Sequence, residues 1–261
     1  MKKQNWDASA YAKYSKGQEK WARELIAKLA LKGDESILDL GCGDGKITAI
    51  LAEQTEGEVV GVDKSSDMIA LARDTYADIA FEKMDATQLS FEARFDLIFS
   101  NAVLHWVSDH RSVVAGLKRA LKPGGKILLQ FGGYGNAAEI LKVMEEHIEA
   151  HYADYFKAFM FPYSFPHSDI YRRLLEEQGF EEISARLIPK DMVHDSVDAF
   201  TGWLRTTWFP YTDALPEEMR ENFIEGFVTR YLQKHPLDEN GGVHVDMVRL
   251  EVAAKNPFCF K

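Results

Sequence analysis

In Ile37-Leu38-Asp39-Leu40-Gly41-Cys42-Gly43-Asp44-Gly45-Lys46, an apolar run passes into a glycine-rich turn and then into a helical pattern. This order of strand, turn and helix is the strongest indication of the fold class. Glycines at positions 41, 43 and 45 let the backbone approach a ligand closely, and the helix that follows offers unpaired N–H groups. The spacing excludes two common phosphate-binding loops. Lys46 stands where the dinucleotide fingerprint needs its third glycine, and Ile47 follows where the triphosphate loop needs Ser or Thr.

Short apolar runs alternate with amphipathic helical patterns over the first half of the chain. The predicted strands are residues 36–40, 58–62, 79–83, 95–100 and 126–131, and the predicted helices are residues 47–53, 68–75 and 111–121. Ser65, Ser66 and Asp109 are the expected helix caps, and Pro123-Gly124-Gly125 is the expected helix stop. Apolar strands separated by helices are typical of a parallel sheet that is covered on both faces, so we predict an α/β fold.

Polar residues or glycine follow four successive predicted strands, at Gly41, Asp63, Asp85 and Asn101. The carboxyl ends of parallel strands meet at one edge of a sheet, where such folds bind their ligands. An acid after the second strand accepts hydrogen bonds from a ribose diol, and an acid after the third accepts one from an exocyclic amine such as that of adenine. Together the four positions favour a nucleoside site over four unrelated helix caps.

The composition excludes several other classes of protein. With 261 residues, 31 basic and 41 acidic side chains, the chain has a net charge of −10, which disfavours a duplex-binding surface. No apolar run is long enough for a membrane span, and the start of the chain leads into no apolar segment. Cys42 and Cys259 suit a reducing cytosol, so a cytoplasmic location is expected. The histidines lack paired ligand spacing, so no metal is expected.

The pattern changes after Gly132. Residues 134–166 are rich in aromatic side chains interrupted by Pro and Gly, and residues 168–178 and 182–187 predict a helix and a strand. Residues 197–235 are helical in pattern, with an aromatic cluster at 200–211, and residues 243–254 alternate as an antiparallel edge strand with a bulge at Met247-Val248. Two interpretations of residues 134–166 stay open, a second small core or a lid over a ligand crevice.

The motifs of the first half occur together in a known order: the 39–45 loop, Gly61-Val62-Asp63, Met84-Asp85-Ala86, Ser100-Asn101 and Leu121–Gly125. Over residues 36–132 the chain resembles the class I S-adenosylmethionine-dependent methyltransferases. The resemblance implies a doubly wound, seven-stranded, mostly parallel sheet (a Rossmann-like methyltransferase fold) with a helical, aromatic-rich cap. It implies a single domain over residues 1–261, with a core in 33–132, 168–190 and 240–258 and a cap in 1–30, 133–167 and 191–239.

The same resemblance implies S-adenosyl-L-methionine as cofactor and S-adenosyl-L-homocysteine as product. The 41–45 loop would hold the methionine part of the cofactor, and Asp63 would bind the ribose. Met68 would pack on one side of the adenine ring, while Asp85 and Ala86 would contact the edge of that ring. Asn101 would line the methionine side through its backbone. The full predicted set is Tyr14, Gln18, Asp39, Gly41, Cys42, Gly43, Asp63, Lys64, Met68, Asp85, Ala86 and Asn101. Within it, Cys42 is expected to pack rather than to act as a nucleophile.

A narrower resemblance involves Trp6-Asp7-Ala8 with Tyr11, Tyr14 and Gln18, residues 100–110, and the tail 247–253. These segments are similar to the trans-aconitate methyltransferases, which implies a carboxylic acid acceptor. The Trp-x-x-Gly-Thr-rich segment of that family differs here, because residues 203–210 lack the glycine and carry bulky aromatics. We therefore expect a small or medium organic acid, trans-aconitate-like or longer and more apolar.

Methyl transfer to a carboxylate depends on positioning, because the acceptor is already ionised near neutral pH. The candidate positioning residues are Gln18, His105, Trp106 and Arg205, with Arg172 and Arg173 as weaker candidates. For His105 two interpretations stay open, a general base and a packed or capping residue. The acceptor pocket is predicted between the 102–107 turn and the 200–211 aromatic cluster.

Other functions remain as alternatives. They are methylation of another small-molecule oxygen or nitrogen, and binding of S-adenosylmethionine without catalysis. Lys46 disfavours a nicotinamide-dependent oxidoreductase, and the net charge disfavours a nucleic-acid methyltransferase. Ala102-Val103 also follows Asn101 where an amino-methylating enzyme would carry Asn-Pro-Pro-aromatic. The expected partner is a small acid, without nucleic acid or membrane, and the expected assembly is a monomer or a homodimer.

Overall fold

The computed structural model describes residues 16–258, with side chains from residue 19 onward. Tyr14 and the other predicted positions before residue 16 lie outside the described residues. For Gln18 only the backbone is described, so its predicted contacts with cofactor and acceptor stay predictions.

Seven strands form one sheet. They are β1 (Ile37–Leu40), β2 (Val59–Asp63), β3 (Ala80–Lys83), β4 (Phe95–Asn101), β5 (Leu121–Gly132), β6 (Glu181–His194) and β7 (Val243–Lys255). Their order across the sheet is β3-β2-β1-β4-β5-β7-β6. The pairs from β3 to β5 are parallel, and β7 runs antiparallel to β5. The predicted seven-stranded, mostly parallel sheet is therefore confirmed.

Apolar strand residues bury both faces of this sheet. Leu38 and Leu40 of β1 enter one hydrophobic cluster, and Ile37 enters another, because successive strand side chains point to opposite faces. This two-sided burial explains why β1, β2 and β4 are mostly apolar in the sequence, whereas the edge strand β3 buries only Phe81.

Nine α-helices accompany the strands in residues 16–258. They are α1 (Lys16–Ile26), α2 (Lys46–Ala52), α3 (Ser66–Thr75), α4 (His110–Ala120), α5 (Ala138–His151), α6 (Ser168–Glu177), α7 (Val197–Thr207), α8 (Phe209–Asp213) and α9 (Glu217–Lys234). Ser65 caps α3 by accepting from the Met68 N–H, and Asp109 caps α4 by accepting from the Ser112 N–H. Ser66, the other expected cap, is the first residue of α3.

The expected stop Pro123-Gly124-Gly125 forms an irregular segment within β5. Helix α4 ends at Ala120, and the pairing of β5 with β4 jumps from Leu121 to Lys126, so residues 122–125 leave the regular register. Gly124 adopts a left-handed φ of 81° in this segment.

The predicted edge position of the last strand is wrong, since β7 lies between β5 and β6. Its amino-terminal half alternates buried and exposed residues from Val243 to Met247, which is the pattern that suggested an edge. Alternation reports that one face of a strand meets solvent, but it does not report how many neighbours the strand has.

The chain divides into two compact units. Among the described residues, the larger contains 18–134, 163–188 and 249–258 with most of the sheet, and the smaller contains 16–17, 135–162 and 189–248. Residues 18–30, predicted as cap, belong to the unit with the sheet, and residues 240–248, predicted as core, belong to the other. In the smaller unit, α5, α7 and α8 pack on α9 around buried aromatic side chains.

Candidate functional site

The glycine loop after β1 combines tight packing with open space. Gly41 has φ 78°, and a Cβ there would lie 2.2 Å from Cγ2 of Val103, so only glycine fits. Gly43 has φ 54°, but a Cβ there would meet no atom within 4 Å. The loop is therefore packed against the protein at Gly41 and faces open space at Gly43.

The Asp63 carboxylate holds this loop from the end of β2. It accepts from the Gly43 N–H at 3.1 Å and from the Ser65 N–H at 2.8 Å. Burial raises the pKa of Asp63, and these backbone bonds oppose that rise. Because an ionised carboxylate has about four acceptor positions, the two bonds leave capacity for a ribose diol.

Asp39 lies beneath the same loop, with 2% of its surface exposed. Its carboxylate accepts from the Thr48 hydroxyl on α2 at 2.7 Å. Burial, together with the nearby charges of Asp63 and Asp44, raises its pKa to about 7, and the bond from Thr48 opposes that rise. This hydrogen bond between Asp39 and Thr48 connects β1 to α2, the two elements on either side of the loop.

Cys42 is buried in the loop among Ile69, Ala72 and Phe81. Burial raises the pKa of its thiol, with the neighbouring carboxylates adding to the effect. A protonated, packed thiol fits a structural position and not a nucleophile.

The end of β3 reaches the same edge of the sheet as the end of β2. The Met84 N–H donates to the Asp63 carbonyl at 2.9 Å, and Asp85 follows with an exposed side chain. The Asp85 carboxylate caps the turn at 86–88 by accepting from the Thr87 N–H and hydroxyl. Among the other predicted cofactor residues, Met68 and Ala86 are buried and Lys64 is exposed.

The chain turns sharply after β4. Asn101 is half-buried at the strand end, and Ala102 adopts a left-handed φ of 59° while its N–H donates to the Gln130 carbonyl. A left-handed conformation is uncommon for residues other than glycine. The turn brings Val103 against Gly41 and so connects the end of β4 to the glycine loop.

His105 follows that turn as a neutral hydrogen-bond donor. Its Nδ1 accepts from the Gly132 N–H at 3.3 Å, which places the ring proton on Nε2. Burial lowers its pKa well below the ordinary value, and the charges of Arg249 and His110 lower it further. This tautomer presents Nε2–H as a donor, so the geometry fits the general-base interpretation poorly.

Four rings of the larger unit form a group that we call the aromatic wall: His105, Trp106, Tyr163 and Phe165. Trp106 and Tyr163 have centroids 4.6 Å apart, and Tyr163 stacks with Phe165 at 5.7 Å. Ser164 fixes the group, because its N–H donates to the His105 carbonyl at 2.8 Å and its Oγ lies 3.0 Å from His110 Nε2.

The aromatic segment 134–166 divides between the two units. Tyr163 and Phe165 belong to the aromatic wall, whereas Tyr152 and Phe156 pack on Phe223 in the smaller unit. The small-core interpretation therefore describes the first part of the segment. The lid interpretation stays a prediction for the segment as a whole.

Arg205 lies on α7 in the smaller unit, with an exposed side chain. Its guanidinium makes two hydrogen bonds to Glu221, with Nη2–Oε2 at 2.6 Å and Nε–Oε1 at 3.3 Å. Trp203 and Trp208 of the predicted aromatic cluster are buried within this unit. The structure thus places His105 and Trp106 in one unit and Arg205 in the other.

The sequence reasoning missed Arg249, which is 3% exposed on β7. Its guanidinium lies 5.2 Å from the centroid of the Trp21 ring. The sequence did mark this position. In β7, buried residues alternate with more exposed ones, and the charged Arg249 stands where that alternation shifts.

Two further properties of residues 16–258 bear on other functions. No group of three or more His, Cys, Asp or Glu side chains in this part of the chain is placed to hold a metal ion. None of its helices combines the length and apolar character needed to cross a bilayer.

Several known proteins are similar to this chain in sequence. Residues 37–125 match the family model described as "Methyltransferase domain". Trans-aconitate 2-methyltransferase of Rhizobium meliloti (strain 1021) is 27% identical over 96% of this chain and 98% of that protein. The uncharacterized methyltransferase C70.08c of Schizosaccharomyces pombe is 31% identical over 77% of this chain and 82% of that protein.

A solved structure shows the same fold. Phosphoethanolamine N-methyltransferase 2 of Haemonchus contortus, in complex with S-adenosyl-L-methionine, has a TM-score of 0.60 and 19% identity. The match covers 96% of this chain and 56% of that chain.

Proposed function

Because this chain belongs to the class I S-adenosylmethionine-dependent methyltransferases, we propose that it methylates a carboxylate oxygen of a small or medium organic acid. The observation that carries the proposal is the hydrogen bond from the Gly132 N–H to Nδ1 of the buried His105, which leaves a donor rather than a base after β4. The similarity to trans-aconitate 2-methyltransferase supports the same class of acceptor.

The residues at the strand ends fit S-adenosylmethionine. The backbone at Gly43 is open to an approaching ligand, and Asp63 retains acceptor capacity for ribose hydroxyls. Asp85 stands at the same edge for the adenine amine, with Met68 and Ala86 supplying buried apolar surface. When bound, this cofactor supplies an electrophilic methyl group on a sulfonium.

The state of His105 discriminates between classes of acceptor. Phenols and alkylammonium groups are protonated near pH 7, so their methylation requires removal of a proton. A carboxylate is already ionised and needs donors that hold one oxygen while the other reacts. The Nε2–H of His105 and the indole N–H of Trp106 are donors of that kind.

The aromatic wall gives the acceptor its apolar surroundings. Tyr163 is buried, and Trp106 and Phe165 are half-buried, so they exclude water around the carbon body of an acid. Exclusion of water strengthens hydrogen bonds to the carboxylate, and fixed orientation contributes about 7–11 kcal/mol in well-aligned reactions. The wall therefore favours an acid with an apolar portion.

A panel of acceptors with methyl-labelled S-adenosylmethionine tests this proposal. It contains trans-aconitate, shorter dicarboxylates and monocarboxylic acids of increasing chain length, with a phenol and an amine of similar size. We expect label in an ester with at least one acid, recognised because mild base releases it as methanol. The relative kcat/KM values then choose between a trans-aconitate-like and a longer apolar acid.

Two results would contradict the proposal. Label found only in base-stable products would indicate an ether or N-methyl product instead. Binding of S-adenosylhomocysteine without transfer to any acceptor would favour the non-catalytic alternative.

A further inference from the structure

Arg249 and His105 meet across one residue of the sheet. Arg249 of β7 pairs with Gly132 of β5 in the antiparallel register, and the Gly132 N–H donates to His105 Nδ1. Directly opposed residues in an antiparallel pair have Cα atoms about 4.5–5.5 Å apart. The backbone therefore holds Arg249 beside the end of β5, on which the His105 ring is fixed.

The face of the sheet that carries Arg249 is known from its neighbours. Leu250 and Val252 enter the large hydrophobic cluster, so Arg249 and Glu251 point to the opposite face. On that face the guanidinium of Arg249 lies over Trp21 of α1, and only 3% of the residue is exposed. All these residues belong to the larger unit.

A second buried polar group lies in the adjacent row. Gln130 pairs with Glu251, is 2% exposed, and donates from Nε2 to Glu251 at 3.4 Å. Because a carboxylate accepts only, this bond fixes the orientation of the amide. Its Oε1 is buried and receives no hydrogen bond from any group in residues 16–258. Polar capacity next to Arg249 therefore remains for the hydroxyl, amine or water that accompanies a polar ligand.

The burial of Arg249 matters for its electrostatics. A charge shielded from solvent acts more strongly on its surroundings than an exposed one, because less water screens it. The charge of Arg249 already contributes to lowering the pKa of His105, so the two side chains share one environment. An anion here would receive a charge-assisted bond from the guanidinium and a neutral bond from His105.

We propose that Arg249 binds a carboxylate of the acceptor and, with His105, makes the enzyme selective for anionic acceptors. The inference rests on the proposed function, since it names the residue that recognises the acid. The planar guanidinium suits this task because its parallel N–H groups match the two carboxylate oxygens.

The test compares Arg249→Gln, Arg249→Lys and Arg94→Gln. Arg94 is the control arginine. It precedes the first residue of β4, whereas the proposed site lies beyond the last residue of β4, and its guanidinium makes two hydrogen bonds to Glu58. The readouts are kcat and KM for the best acid of the panel, affinity for S-adenosylhomocysteine, and thermal unfolding. The lysine variant keeps the charge, so it guards against a glutamine variant that fails to fold.

We expect Arg249→Gln to lower kcat/KM for the acid about 10- to 100-fold, the usual size for a lost bond to a charged group. Arg249→Lys should lose less, because it retains the charge without the planar fork. Affinity for S-adenosylhomocysteine should stay within about twofold of the parent in both variants, and Arg94→Gln should match the parent.

Three results would overturn the inference. Unchanged kcat/KM in Arg249→Gln and Arg249→Lys, with a parent that methylates acids, would refute the role of Arg249 and leave the proposed function intact. An equal loss of S-adenosylhomocysteine affinity would assign Arg249 to the cofactor instead. A parent that methylates no acid would end both proposals together.

Discussion

The proposed site has a cofactor end and an acceptor end, and the structure builds the two ends in different ways. The cofactor end, formed by the Gly41–Gly45 loop, Asp63 and Met84–Ala86, uses short backbone connections between neighbouring strands. The acceptor end, formed by Asn101–Trp106, Gly132, Tyr163–Phe165 and Arg249, joins parts of the chain that are far apart in sequence. A local motif at the proposed cofactor end suits a ligand shared by a large family, whereas side chains from separate elements at the proposed acceptor end suit an acceptor that varies.

The largest effect is expected for Gly41→Ala at the cofactor end. The new Cβ would overlap Val103 and force a left-handed alanine, which together cost about 2–5 kcal/mol of unfolding free energy. Denaturant unfolding measures that loss, and calorimetry should show at least tenfold weaker binding of S-adenosylhomocysteine.

Gly33→Ala is the control for that variant. Gly33 has φ 99°, but an added Cβ would meet no atom within 4 Å, so only the backbone cost of about 1–2 kcal/mol applies. Equal unfolding midpoints for the two variants would show that the contact with Val103 does not support the loop.

Asp63→Asn tests the charged acceptor of the cofactor end. A hydrogen bond to a charged group contributes about 1.5–3 kcal/mol, so cofactor affinity should fall about 10- to 100-fold while the fold survives. Asp74→Asn, an exposed change on α3, should leave the affinity unchanged. If both variants bind S-adenosylhomocysteine like the parent, Asp63 does not contact the ribose.

Trp106→Phe probes the acceptor end and should change a different quantity. Loss of a neutral indole donor costs about 0.5–1.5 kcal/mol, which lowers kcat/KM for the acid about 2- to 10-fold with cofactor affinity intact. Arg205→Ala should change kcat/KM less than about twofold, because its exposed guanidinium is engaged by Glu221. A larger loss of kcat/KM in Arg205→Ala than in Trp106→Phe would support the prediction from the sequence that Arg205 positions the acceptor.

The smallest effect is expected from pH. The pKa of His105 lies well below its ordinary value, so the ring is neutral throughout the range from about pH 6 to 8. With an acceptor that is already ionised, kcat/KM should be flat across this range. A rise with a midpoint inside it would show that a titrating base takes part.

Part of the proposed cofactor end could be predicted from the sequence. The glycine loop and Asp63 are recognisable because each follows a buried, mostly apolar strand. Asp85 follows β3, in which only Phe81 is buried, so its position was predicted from a weaker pattern. The observed strands β1 to β4 begin and end within one residue of the predicted ones.

The acceptor end was harder to predict for physical reasons. Arg249 is far from His105 in sequence, and only the sheet order places β7 beside β5. The donor character of His105 depends on the Gly132 N–H, a contact that no local pattern encodes. Phe165 and Phe156 are equally aromatic, so the sequence did not show that they belong to different units.

The bonds from Gly43 and Ser65 to Asp63 have a thermodynamic consequence. They join protein groups only, so they hold the loop without a contribution from a ligand. A loop that is held in this way loses less entropy on association, and each segment already fixed makes the complex tighter. Part of the order that cofactor binding needs is therefore supplied by the alignment of β2 with β1.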